Sequence, residues 1–370
     1  MKELNSIATD RQRGAVIIIV LWTAVLLTVL VTAMAGKVRL SATTVVHNYD
    51  ASAEWAGLMG TLSKAEAELM LELMPRPVTE ERDEEQDRYR EPRYRFNGQA
   101  LELYYPQSQE YMVRIFDHGG KINLNGINRN ILQRYIEHWL GGPEEADPDE
   151  VEELVWTWVD WTDLNDQPAF ASGAEREYYE SLDPGFVPRN YRELDTVEEI
   201  LHIRGFADLL DGVNVDAAFT VYGNHSAINL NLATRDAMQL IPGMSDAIIE
   251  DIIAYREVED IDSQLEIAEL IPFENLQLMQ QLVGYSTTTS YFSIFVYPRP
   301  EGLQDSSRII FEDGEFINPD PVRQAWQEIV EVTGFRNLPR VLKVDPYGRL
   351  PDTSPARLLE QDRPIDVPGS

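Results

Sequence analysis

The sequence predicts an α+β fold: a long N-terminal helix packed on an antiparallel sheet, with a large all-α domain inserted between the strands. Three observations carry this. Apolar residues recur at helical spacing from Ala15 to Leu73 and stop before Pro75. Segments rich in β-branched and aromatic residues occur in two separate places, around 100–116 and 287–344. Everything between them, 122–285, has helical texture with N-cap residues at several starts.

The N-terminal helix is expected over 15–75. Residues 15–35 carry no charge and only threonines as polar interruptions. A helix of that length spans ~30 Å, the thickness of a bilayer core, so 15–35 is expected to cross a membrane. The basic leader, with Arg11 and Arg13, ends at Gly14, and the apolar run starts at once with Ala15. Two other readings compete with a cut after Gly14: a plain anchor, and an export signal removed at Ala33-Met34-Ala35. The apolar run exceeds the ~7–15 residues of an export signal. A removable signal also has no use for the amphipathic continuation through Val45, Tyr49, Trp55, Leu62 and Leu69. Lys37 and Arg39 follow the span just as Arg11 and Arg13 precede it, so charge favours an inside leader only slightly.

Beyond the helix, 76–121 reads as a charged, proline-bracketed linker followed by two strands, 100–105 and 111–116. Helices are expected at 127–140, 149–160, 196–203, 207–211, 234–241, 245–256, 264–271 and 275–283. The remaining strands lie at 287–299, 307–313 and within 329–344, so the sheet resumes over 286–346. A proline-rich tail, 347–370, is expected to be disordered.

Composition excludes several function classes. The 370 residues carry a net charge of −32, which repels phosphate backbones, and with no cysteine there is neither a disulfide nor a thiolate metal site. The five histidines (His47, His118, His138, His202, His225) are scattered, and no phosphate loop, nucleophile elbow or His-Glu-x-x-His occurs. The expectation is a protein that is not an enzyme. Its best enzymatic rival is glycoside hydrolysis by two carboxylates, with Trp156, Trp158, Trp161, Tyr178 and Tyr179 close by, though such rings are better used filling a core.

Carboxylates are densest between Glu144 and Glu177. Asp160, Asp163, Asn165 and Asp166 crowd one loop, and Glu175 and Glu177 follow Gly173. A hard cation taking six to eight oxygens relieves such repulsion. The spacing is not that of an EF-hand, and a solvated acidic turn capping helices remains the other reading.

The leader ending in Gly14, the apolar helix and its amphipathic extension resemble the type IV pilin-like proteins, which are cut after that glycine and methylated on the next residue, here Ala15. Most of them carry a glutamate five residues after the cut, where this chain has Ile19. A subunit without that carboxylate cannot pair with a neighbour's terminal amine, and is suited to be first in a fibre. The minor pseudopilin K of type II secretion systems departs in the same way. It is also similar in "GGKINLN" (119–125), "WTDLNDQP" (161–168), "GAEREYYESLDP" (173–184) and "INLNLAT" (228–234).

That resemblance implies a pilin-like sheet interrupted by a helical insertion, and calcium held by residues among Asp160, Asp163, Asn165, Asp166, Glu175 and Glu177. It implies a single-pass protein of the Gram-negative inner membrane with its C-terminal domain in the periplasm. The partners implied are minor pseudopilins I and J, the prepilin peptidase and the secretion platform in the inner membrane, with the chain at the pseudopilus tip and no nucleic acid bound. "TVEEILHIRGF" (196–206) and "TRDAMQLIPGM" (234–244), with 264–274 fainter, also resemble the helix–hairpin–helix repeat of DNA-uptake proteins. Asp246, Glu250 and Asp251 behind the second copy oppose a phosphate, so these hairpins are expected to be scaffold. A minor pilin of a type IV pilus or DNA-uptake system is the alternative.

Overall fold

A computed structural model describes residues 4–72, 96–101, 110–170, 173–182, 191–299, 311–312, 315–316, 325–334 and 336–351. The linker at 76–95, most of the strand expected at 100–105, most of 307–313 and the tail from 352 lie outside the described residues. The chain divides into two units, Met1–Gly60 and Thr61–Ser370.

The first unit is helical throughout its described length, as part of α1 (Leu4–Glu72). It has the one helix long and apolar enough to cross a membrane among the described residues. Val16 to Leu30 present large apolar side chains outward, Ile19 among them. Thr23, Thr28 and Thr32 donate their hydroxyls to the carbonyls of Val20, Ala24 and Thr28 at 2.8–2.9 Å. Each polar interruption is thereby satisfied inside the helix, as hydrocarbon demands. The side chains of Gly14 and Ala15 fall outside the described part.

In the second unit the last turns of α1 bury Leu62, Ala65 and Leu69, a stripe at helical spacing. Its sheet has five antiparallel strands: β1 (Asn97–Ala100), β2 (Tyr111–Asp117), β7 (Tyr291–Pro298), β10 (Ala325–Glu331) and β11 (Arg340–Gly348), in the order β1-β2-β7-β10-β11. β2 and β7 are neighbours, with Asp117 opposite Phe292. The whole stretch from 118 to 290 therefore leaves and rejoins the sheet at one end of adjacent strands. The strand expected within 329–344 is really the hairpin β10–β11. It runs past the expected end at 346, because Ala325 pairs with Gly348.

The intervening block holds β3 (Ile122–Asn123), α2 (Arg129–Trp139), α3 (Pro148–Thr162) and α4 (Arg176–Leu182). After these come α5 (Phe206–Leu209), α6 (Val215–Ala218), β4 (Phe219–Thr220), β5 (Ile228–Asn229) and α7 (Arg235–Gln239). The block closes with α8 (Asp246–Arg256), α9 (Gln264–Leu270), α10 (Phe273–Met279) and β6 (Val283–Gly284). Side chains of Asn128, Asp147, Thr234, Ser245 and Ser263 cap five of these helices. The block is not purely helical, since β3 pairs with β4 and β5 with β6, both parallel. The helix expected at 196–203 is a short 3-10 helix (Val197–His202) that ends at an extended Ile203, and Gly205, in the left-handed region at φ 84°, opens α5. A short hairpin, β8 (Phe311–Glu312) with β9 (Glu315–Phe316), completes the strands.

Where the block meets the sheet, a buried polar seam joins them. His118 lies between the Thr220 hydroxyl at 2.7 Å and the Ser293 hydroxyl at 2.8 Å. Lys121 donates to the Asp216 carbonyl at 2.6 Å and to Ser293 at 3.3 Å. Lys343 on β11 bridges Glu198 and Asp216. Gly120 lets the backbones close, for a Cβ there would sit 2.2 Å from the Leu232 carbonyl oxygen. The side chains of His118 and Ser293 are both fully enclosed.

Burial first, then Lys121 and His225, holds His118 well below the usual histidine range. Burial likewise pulls Lys121 down to about 8 and pushes Asp117 up to about 6. In the unfolded chain His118 takes a proton near ~6.5, so the stability it contributes is present above that pH and is lost as pH falls. Melting of the parent and His118→Gln across pH 7.5 to 5 checks this. The parent should lose stability relative to the variant with a slope approaching ~1.4 kcal/mol per pH unit.

Candidate metal centre

Asp147 caps α3 by accepting from the Asp149 amide, and Pro148 occupies the first turn, where its missing N–H costs nothing. Val151, Leu154, Val155, Trp158 and Trp161 face the core, and that phase carries Asp160 inward as well. Asp160 is fully buried in the last turn, and Asp163 stands at the C-cap. No basic residue occupies that turn. The helix end, itself partially negative, thus meets two carboxylates with no side-chain cation to offset them.

The chain then loops back. Asp160 Oδ1 accepts from the Ala169 amide at 2.8 Å. Gly173 crosses so close to Asp160 that a Cβ would lie 1.9 Å from Oδ2. This brings Glu175, just before α4, into the same space, although it is only 4% exposed. Carboxylate oxygens of Asp160, Asp163 and Glu175 all lie within 4.8 Å of one another. Asp160 Oδ2 and both Glu175 oxygens are buried without a hydrogen-bond partner. Burial, joined by Asp160, Asp163 and Asp166, pushes Glu175 up to about 7. Asp160 is also raised, by burial first and with Asp163 adding to it.

Aromatic rings wall the site on the core side. Trp161 meets Tyr179 edge-on at 5.1 Å and donates to Glu199 at 3.0 Å. The Tyr179 hydroxyl accepts from the Arg204 amide at 3.2 Å. Trp158, Trp161 and Tyr179 are core residues.

Of the six residues that the sequence singled out, the structure gathers Asp160, Asp163 and Glu175. Asn165 is turned onto Asp163, donating its backbone amide at 2.9 Å and its side-chain amide at 2.6 Å. Asp166 lies on the rim, 3.7 Å from the Arg176 guanidinium. Glu177 is exposed in the first turn of α4, outside the group of three. Gly173 is named in the sequence only as a landmark before Glu175; its close crossing on Asp160 is what the structure adds.

Three converging carboxylates with orphaned buried oxygens and no lysine or arginine among them are the donor set of a hard cation. The chain is thus an α+β protein with an N-terminal helix long and apolar enough to cross a membrane and three convergent carboxylates in its helical block.

The family described as type II secretion system (T2SS), protein K matches residues 120–210, which include the whole candidate centre. That stretch of the chain is thus similar to a type II secretion system protein K domain. No curated protein matches the chain. Among solved structures it is similar to a chain of the GspK–GspI–GspJ complex of the type 2 secretion system of enterotoxigenic Escherichia coli. There the identity is 13%, the TM-score 0.46, and the coverage 82% of this chain and 98% of that one.

Neutralising Glu175 should have opposite effects with and without a cation. In chelator at neutral pH, Glu175→Gln should melt above the parent, because a repelled buried charge is gone. With a divalent cation in excess it should melt below the parent, having lost a ligand. Differential scanning calorimetry of both proteins reads both signs.

Proposed function

We propose that the chain is the uppermost subunit of a type II secretion pseudopilus, helping to start the fibre that serves export of folded proteins. The observation that carries this reading is the protein K match over 120–210, in a chain whose apolar helix has Ile19 where pilin-like subunits carry a glutamate. Without that carboxylate, the helix has nothing with which to meet the terminal amine of a subunit above it. The large insertion at one end of the sheet suits a position with no subunit stacked overhead.

On this reading the prepilin peptidase cuts after Gly14 and Ala15 becomes the methylated first residue. Residues 15–35 anchor the chain in the inner membrane with the second unit in the periplasm. The partners are minor pseudopilins I and J, with the secretion platform beneath them. The protein carries out no catalysis.

Calcium is the cation proposed for the centre. Asp160, Asp163 and Glu175 would hold it, with Asn165 and Asp166 from the same loop within call and Glu177 a peripheral acid. Its contribution there is charge: it binds oxygens that otherwise repel, and so ties the end of α3 to the start of α4. Calorimetric titration of chelated protein with calcium should show heat and a raised melting temperature. No heat and no shift would remove calcium from the account.

The DNA-uptake alternative finds no support at the hairpin joining α7 and α8. Arg235, a basic side chain there, is engaged by Glu250, and Asp246 sits in the first turn where a phosphate would have to approach. These helices act as scaffold, with Ile248, Ile249, Ile252 and Ile253 in the core.

N-terminal mass analysis of the membrane-bound protein tests the class. A methylated Ala15 is expected. A chain beginning at Gly36 would make this a cleaved periplasmic protein and overturn the reading.

A further inference from the structure

A second feature of the helical block lies away from the acidic centre. Between α2 and α3 runs a cleft of about 330 Å³, within the size range of small-ligand sites. Pro143, Ala146 and Pro148 give it apolar walls above the buried Val151 and Val155, while Arg129, Glu137 and Glu152 supply its charges. Gln133, also lining it, donates to Glu137 Oε1 at 2.8 Å, and the Trp156 indole donates to Glu152 Oε1 at 3.3 Å. Both carboxylates are thus oriented by neighbours. The Arg129 guanidinium lies over the Trp156 ring, 4.1 Å from its centroid, and Trp156 in turn stacks on Phe170 at 5.9 Å with an interplanar angle of 11°. That stacking commits Arg129 to the aromatic face.

The surrounding charge has one sign. Two carboxylates against one guanidinium leave the lining at −1. The loop and helix start beside it add Glu144, Glu145, Asp149 and Glu150, all exposed. No lysine or arginine occurs between Arg134 and Arg176. Apolar walls under an acidic rim fit a group with a cationic head on an aliphatic stem, and repel anions and carboxylate-rich peptides.

We propose that this cleft is a docking site for an arginine or lysine side chain presented by a partner polypeptide. The stem would lie along Pro143, Ala146 and Pro148, and the head would meet Glu137 and Glu152. The site does not depend on the secretion reading, nor on calcium at the acidic centre.

Saturation-transfer difference NMR on the full chain in a non-ionic detergent tests it. The probe is Nα-acetyl-arginine methylamide, with the citrulline analogue as its uncharged counterpart and glucose as the test of a saccharide site. The arginine probe should show transfer to its side-chain methylenes, and the citrulline probe much less. In Glu137→Gln/Glu152→Gln the arginine signal should fall roughly fivefold, since two exposed charge contacts are lost. Ala146→Phe, which fills the cleft without touching its charges, should abolish the signal, and circular dichroism checks that both variants are folded. Equal transfer to arginine and citrulline probes, retention of the signal in either folded variant, or stronger transfer to glucose would each overturn the proposal.

Discussion

Carboxylates that must share one small buried space, without a base among them, set the terms for the helical block. Asp160 is carried inward by the same helical phase that buries Trp158 and Trp161, so it cannot turn to water without unseating the core. Asp163 closes the helix and Glu175 returns against both. The energetic problem is threefold: desolvation, mutual repulsion and the negative end of α3. In many helices a lysine or arginine in the last turn answers such a charge; here the last turn has none. A divalent ion, if bound, would answer all three terms at once, and a chain without cysteine has no disulfide to fix the loop instead.

The seam between block and sheet solves a related problem with neutral partners. His118, Lys121, Thr220 and Ser293 are enclosed, and each finds a hydrogen-bond partner from a different part of the chain. Buried polar groups satisfied in this way give geometric specificity, because any shift of block against sheet leaves several of them unpaired. Lys343 reinforces the seam from β11, reaching two carboxylates of the block.

Much of this was legible in the residues. The apolar helix, the strands β2 and β7 and the helix opened by Thr234 follow from periodicity and capping. What escaped was short or non-local. α4 has seven residues, too few to establish a period, and the 3-10 helix at Val197–His202 shares its sequence pattern with an α-helix. The parallel pairs of Ile122 with Phe219 and Ile228 with Val283 are two residues long and join distant segments. At the centre, the density of acids marked the loop, but which of them converge depends on the crossing at Gly173. That crossing brings Glu175 back to Asp160 and leaves Glu177, two residues on, in solvent.

Hydrogen exchange of the full-length protein, in calcium and in chelator, bears most directly on the idea that a cation organises this block. Amides across 160–182 should exchange more slowly with calcium, and those of β2, β7 and β10 should be unchanged. Identical exchange across 160–182 in the two conditions would contradict it.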